Sequence, residues 1–209
     1  MSGSPEDTLI YHITDLANLA GIMAGAGLRS DVAMATGNPE VIGYGHIKER
    51  RATEIRVDCC GNRFVGEFVP FYFCPRSPML YTVNKGNTGR PVGCQRTIIH
   101  LVSRVGTALQ TGKDWAISDG NAGAFHTSFY RDLKELKNLD WKSIRATSWQ
   151  GMTHQKSAEF LVADFFHGRH FMRSVATTAR WQPKSPPFLT GRPIVLLYPS
   201  NPLGIIKEP

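Results

Sequence analysis

Apolar positions come in short runs separated by polar stretches rich in glycine and proline, and no single period persists along the chain. The first run, Leu9-Ile10-Tyr11-His12-Ile13, is β-branched and aromatic and predicts a strand. Thr14 or Asp15 can cap a following helix, with Leu16, Leu19, Ile22 and Met23 on one face and Gly25 and Gly27 at its left-handed end. Residues 29–40 have no period and read as a loop, whereas 41–55 are helix-like, carrying Ile42, Ile47 and the charged run Lys48-Glu49-Arg50-Arg51. Cys59 to Asn62 predicts a turn, Phe64 to Phe73 one or two strands around Pro70, and Ser77 to Val83 a short helix with Pro78 in its first turn. Asn84 to Gly93 is a second loop.

Further on, Thr97 to Val102 is the clearest buried strand, and Trp115 to Ser118 a shorter one before a turn at Asp119-Gly120-Asn121. Phe129 to Leu139 predicts a helix with Leu133, Leu136 and Leu139 on one stripe. Residues 143–157 show no clean period, after which Ala158 to Phe166 turns apolar with Glu159 near its start. Phe171 to Ala176 and Pro193 to Tyr198 read as strands, joined by the proline-rich link Gln182 to Arg192. Strands do not alternate regularly with helices, so the class is α+β. Residues 1–8 read as a loose tail and 9–209 as one domain, with no internal repeat.

Composition adds little except charge. The 209 residues are 42% hydrophobic and 20% charged, which excludes collagen, coiled coil and wholesale disorder. Lys plus Arg number 24 against 17 Asp plus Glu, a formal net charge of +7 that favours a polyanionic partner. Cys59, Cys60, Cys74 and Cys94 form no Cys-x-x-Cys pair, so they suit reduced thiols in the cytoplasm better than a zinc knuckle or a disulfide scaffold. The polar start lacks a signal-peptide core, and no run reaches the roughly 18 apolar residues of a membrane span. A soluble cytoplasmic protein, acting as a monomer without membrane or metal, is expected.

Familiar chemical signatures are missing. There is no phosphate-binding loop, no Gly-x-Ser-x-Gly elbow and no His-Glu-x-x-His helix, and Gly43-Tyr44-Gly45 lacks the third glycine of a dinucleotide fingerprint. Three features remain: a histidine on a strand entering a cap (Tyr11-His12-Ile13-Thr14), the arginine-rich run ending at Arg51, and a carboxylate at the mouth of an apolar strand (Ser157-Ala158-Glu159-Phe160-Leu161-Val162). A buried unpaired carboxylate is costly, so Glu159 either faces water at an edge or is a catalytic acid or base paired with an arginine. Between them lies Val69-Pro70-Phe71-Tyr72-Phe73-Cys74-Pro75-Arg76-Ser77-Pro78-Met79-Leu80-Tyr81, the most distinctive string in the chain.

With these strings in this order, Leu9 to Ala176 resembles the DarT-type DNA ADP-ribosyltransferase toxins. The resemblance implies a compact ADP-ribosyltransferase fold, a central split β-sheet with flanking helices. It implies NAD as substrate and thymine in single-stranded DNA as acceptor, within short sequence contexts, and a DarG-type macrodomain antitoxin as partner. Carried over by motif, Arg51 and Glu159 become catalytic, with Arg50 adjacent to Arg51, and His12 helps to hold NAD. The stretch 143–158 becomes the loop that approaches the DNA base. From residue type, Thr14 joins the NAD site, Tyr72 and Tyr81 can stack on nicotinamide, and Met79 can pad it. Arg76, Arg145 and His154 can meet DNA phosphates, while Trp149 supports the base or anchors its loop. A transferase of the same fold acting on RNA or protein, and a non-catalytic basic binding module, are the alternatives.

Overall fold

A computed structural model describes residues 4–34, 39–172, 174–177 and 196–197. Within the segment read as a loose tail, Pro5–Asp7 forms a 3-10 turn whose Ser4 hydroxyl accepts from the Glu6 N–H. Strand β1 is Leu9–Asp15, and the Asp15 carboxylate accepts from Ala17 N–H at 2.9 Å to start the turn leading into helix α1, Leu19–Ala24. The left-handed residue beyond α1 is Ala26 (φ 60°), flanked by the two glycines expected to take that role. Strand β2 (Gly27–Arg29) and helix α2 (Gly45–Thr53) follow, then the small hairpin β3 (Arg56–Val57) and β4 (Arg63–Phe64). Strand β5 is Phe68–Tyr72, and helix α3 is Pro78–Asn84, capped by the Ser77 hydroxyl on Leu80 N–H.

Strand β6 (Ile98–Arg104) is buried at six of seven positions, as its apolar run requires. After it come helix α4 (Val105–Leu109) and strands β7 (Trp115–Asn121) and β8 (Phe129–Tyr130). Helices α5 (Trp141–Arg145) and α6 (Thr153–Lys156) bracket an irregular segment before β9 (Ala158–Ala163) and β10 (Phe165–His167). Strands β11 (Ser174–Thr177) and β12 (Leu196–Leu197) complete the described elements. The rest of the expected strand Pro193 to Tyr198 and the link Gln182 to Arg192 lie outside the described residues. No described helix is long and apolar enough to cross a membrane.

Among the described residues, eight strands form one antiparallel sheet in the order β12-β11-β6-β1-β5-β9-β7-β8. The sheet is split between β1 and β5, which share a single backbone partner pair, Tyr11 with Tyr72. Pro70 explains the opening. In an antiparallel strand a residue's N–H and C=O point to the same edge. Pro70 lacks the N–H, and its carbonyl faces β1, where the His12 ring rather than a backbone amide meets it at 2.9 Å. On the other edge β5 pairs with β9 from Phe68–Ala163 through Tyr72–Glu159.

Two further segments fold differently from their sequence pattern. The segment expected as a helix over 129–139 is strand β8 followed by a six-residue 3-10 helix, Leu133–Asn138, with the Asp132 carboxylate accepting from Lys134 N–H. Only Leu136 of that helix is buried. The turn expected at Asp119-Gly120-Asn121 belongs instead to β7, where the register against β9 shifts between Ile117 and Asn121. The polar triplet forms the bulged last three residues of the strand, not a turn after it.

Candidate active site

The split in the sheet opens into a cleft of about 600 Å³, inside the ~300–1,000 Å³ range of small-molecule sites. His12 and Thr14 of β1, Tyr72 of β5, Met79 of α3 and Lys48 and Arg51 of α2 line it. The opposite rim is clipped down by Asn18, which donates to the Glu40 carbonyl at 2.9 Å, accepts from Glu40 N–H at 2.8 Å and donates to the Thr14 hydroxyl at 3.2 Å.

Arg51, which lines the cleft, forms a fork with Glu159, which lies behind it and is not a lining residue. Arg51 Nη1 donates to Oε1 at 3.1 Å and Nη2 to Oε2 at 3.0 Å, with Glu159 1% and Arg51 8% exposed. Helix α2 comes close enough because it packs on Gly66, where a Cβ would lie 2.8 Å from the Ala52 Cα. The bulge in β7 supplies the rest. Ser118 Oγ accepts from Glu159 N–H at 2.9 Å and donates to the Gly120 carbonyl at 2.7 Å. The displaced backbone then aims Ala122 N–H at Glu159 Oε1, 3.2 Å away. A carboxylate this deep is tolerable because it is paired and hydrogen-bonded. Glu159 therefore sits on a central strand, paired with an arginine, and is not an edge residue facing water.

Local electrostatics fix the protonation states. Burial opposes charge on Arg51, but the Glu159 carboxylate outweighs it and the guanidinium pKa ends above its ordinary value. Burial, then the same carboxylate, pushes the Tyr72 hydroxyl up, so it stays protonated, 3.7 Å from Met79 Sδ. Burial holds His12 down at about 4, so the ring is neutral near pH 7. The Pro70 carbonyl can only accept, so Nδ1 carries the proton and Nε2 is left as an acceptor. A pyrophosphate oxygen is not a partner for such a nitrogen, whereas a ribose hydroxyl is.

The remaining predicted residues are scattered. Tyr81 lies outside the cleft lining, half-exposed, its ring edge-on to Trp149 at 5.8 Å. Trp149 also lies under Lys156 Nζ at 5.4 Å, which anchors its loop. His154 packs over Gly120, where a Cβ would fall 2.1 Å from Nε2, beside His126 and 3.8 Å from Asp119. Burial, then the neighbouring His126, holds its pKa below the ordinary value. Arg76 and Arg145 are not brought to this cleft. They line a second one with Tyr11, Phe73 and Trp141 that shares no lining residue with the first.

Sequence reasoning passed over Lys48, Asp31, Ser118 and Ala122. Lys48 was legible, being three residues before Arg51 and so on the same helix face. It pairs with Asp31 at 2.7 Å and, with Arg29, supplies a cleft cation not committed to Glu159. Among the described residues no cluster of three or more His, Cys, Asp or Glu could hold a metal ion.

A family model described as "ssDNA thymidine ADP-ribosyltransferase, DarT" matches residues 11–182. The chain belongs to the DarT family. It is 40% identical over 162 residues to a DNA ADP-ribosyl transferase of Thermus aquaticus, covering 78% of this chain and 72% of that one. Two solved structures of DarT from Thermus sp. 2.9 superpose on it. The complex with ADP-ribosylated ssDNA gives a TM-score of 0.70 at 38% identity, covering 78% of each chain. The complex with NAD+ gives 0.69 at 34% identity, covering 81% of each. A DNA ADP-ribosyl transferase–DNA ADP-ribosyl glycohydrolase fusion protein of Thermosipho africanus is 28% identical over 133 residues, 62% of this chain and 32% of that one. The split antiparallel sheet is thus the DarT ADP-ribosyltransferase fold, and the chain is an ADP-ribosyltransferase of DNA, an activity that draws ADP-ribose from NAD.

Proposed function

We propose that the enzyme attaches ADP-ribose to thymine bases of single-stranded DNA in a short sequence context, as the toxin of a toxin–antitoxin pair, with Glu159 and Arg51 catalytic. One observation carries the reading: a buried carboxylate is held in a fork by Arg51, which lines a cleft sized for a dinucleotide. NAD lies along the cleft. Lys48 and Arg29 meet its pyrophosphate, His12 Nε2 and Thr14 its ribose hydroxyls, and Tyr72 and Met79 its nicotinamide.

Breaking the nicotinamide–ribose bond builds positive charge on the sugar, as in glycoside hydrolysis. Glu159 stabilises that charge. A carboxylate offers about four lone-pair sites. Arg51 and Ala122 take three, which leaves one for a ribose hydroxyl or the N–H of the incoming base. The Arg51 fork and the Ala122 amide occupy most of the carboxylate's acceptor sites, so charge stabilisation outweighs proton removal in its role. The acceptor base comes from an unpaired strand, where no duplex has to be opened. The fusion of a transferase to a DNA ADP-ribosyl glycohydrolase in Thermosipho africanus supports a partner that removes the modification, a macrodomain antitoxin of the DarG type.

Labelled NAD, supplied with single-stranded DNA, duplex DNA, RNA and carrier protein, tests the reading. Label is expected on single-stranded DNA and is expected to fall by about 10²-fold or more in Glu159→Ala. Arg51→Ala should lose transfer far more than DNA affinity. Label on RNA or protein alone would overturn the proposed acceptor.

A further inference from the structure

Three residues past the amide that touches Glu159 stands an exposed ring that neither the cleft nor the core explains. The 122–127 loop between β7 and β8 starts at the amide that touches Glu159. It is tightly wound. Gly123 N–H donates to Asn121 Oδ1 at 2.8 Å, Ala124 N–H to the Asn121 carbonyl at 2.9 Å, and Thr127 Oγ1 to that same carbonyl at 2.6 Å. The loop runs along α2, since a Cβ on Gly123 would lie 3.0 Å from Ile47 Cγ2 and 3.7 Å from Arg51 Cγ. At its apex this braced loop presents Phe125, 69% exposed. Arg50, the residue next to Arg51, places its guanidinium 5.4 Å from the Phe125 ring centroid. Among the described residues Arg50 makes no ion pair, and its buried Nε has no hydrogen-bond partner.

A loop fixed by hydrogen bonds has no folding reason to hold a phenylalanine in water. An aromatic face next to an unneutralised guanidinium suits a nucleotide, with the base stacked on the ring and the phosphate on the cation. We infer that Phe125 and Arg50 form a docking station for a nucleotide flanking the target thymine, holding the strand so that the thymine reaches Glu159. The inference rests on the proposed reading of single-stranded DNA as acceptor. Such a station requires a base but tolerates any base, because every base has a π-face. It therefore sets register on the strand and not sequence.

The test uses oligonucleotides in which a single abasic residue is moved along the neighbours of the modified thymine. For the wild type, an abasic residue at one flanking position should raise the KM for the oligonucleotide by about tenfold. Phe125→Ala should raise the KM on the intact oligonucleotide by a similar factor and pay no further penalty for the abasic residue there. Phe125→Trp should restore wild-type behaviour, and all variants should keep the wild-type melting temperature because the ring is exposed. The inference is overturned if Phe125→Ala pays the same abasic penalty as the wild type, or if no flanking position shows one. Absence of wild-type transfer to any single-stranded DNA would overturn the acceptor reading itself, a different result.

Discussion

His12 shows how one residue's surroundings decide its chemistry. From sequence it was a histidine on a strand, open to either protonation state. The split in the sheet commits Nδ1 to the Pro70 carbonyl, and burial holds the ring's pKa at about 4 against an ordinary 6.5. Between those values the unfolded chain binds more protons than the folded one, so stability rises with pH. Acidification from pH 6.5 to 4 should therefore lower the urea midpoint, and below pH 4 the His12 contribution is fully lost. His12→Gln should flatten part of that slope. Above pH 6.5 the ring is neutral throughout, and the KM for NAD should stay level up to pH 8. A NAD affinity that instead improves on acidification through pH 6 would mean that His12 binds as a cation.

At the scale of elements, the irregular segment from α5 to α6 is held by a buried lysine. Lys156 is 1% exposed, and its Nζ donates to the carbonyls of Ile144 at 2.9 Å and Ala146 at 2.7 Å, under the face of Trp149. Burial holds its pKa below the ordinary lysine value, with the nearby Cys74 thiol opposing. Lys156→Met keeps the stem and removes the donors, leaving two carbonyls without a partner, a loss of about 1–3 kcal/mol. Amide exchange over 144–157 should quicken more than in the sheet, and the KM for single-stranded DNA should rise more than that for NAD. Equal exchange everywhere would make Lys156 a global core residue instead. Nothing in the polar run around Lys156 announced this role, since its partners are backbone carbonyls ten and twelve residues away. The strands were more legible because β6 and β9 are mostly apolar, with Ile98-Ile99, Leu101-Val102 and Phe160-Leu161-Val162-Ala163. The misread helix over 129–139 has a cause in its own spacing. Leu133, Leu136 and Leu139 recur every three residues, the period of a 3-10 helix and not of an α-helix. Arg51 and Glu159 were legible as motifs, but the amide and hydroxyl that support Glu159 were not, because they depend on a bulge.

Across the whole molecule, the +7 net charge includes cations in two separate clefts, Arg29, Lys48 and Arg51 in the first and Arg76 and Arg145 in the second. NAD, with a short pyrophosphate and a cationic nicotinamide, exchanges few counterions. A DNA strand exchanges one for each phosphate neutralised, and for single strands the log–log slope of affinity against salt is about −0.7 per contact. The KM for single-stranded DNA should therefore climb between 50 and 200 mM salt by on the order of tenfold for two to three phosphate contacts, while the KM for NAD hardly moves. The slope also locates the strand. Arg50 is next to Arg51 in α2, whereas Arg76 is exposed in the second cleft, which shares no residue with the first. Arg50→Gln should reduce the slope by about 0.7, one contact's worth, and Arg76→Gln should leave it alone. If Arg76→Gln instead takes the contact away, the strand must reach beyond the first cleft to the second. The second cleft, with Tyr11 and Trp141 in its walls, would then be part of the DNA path.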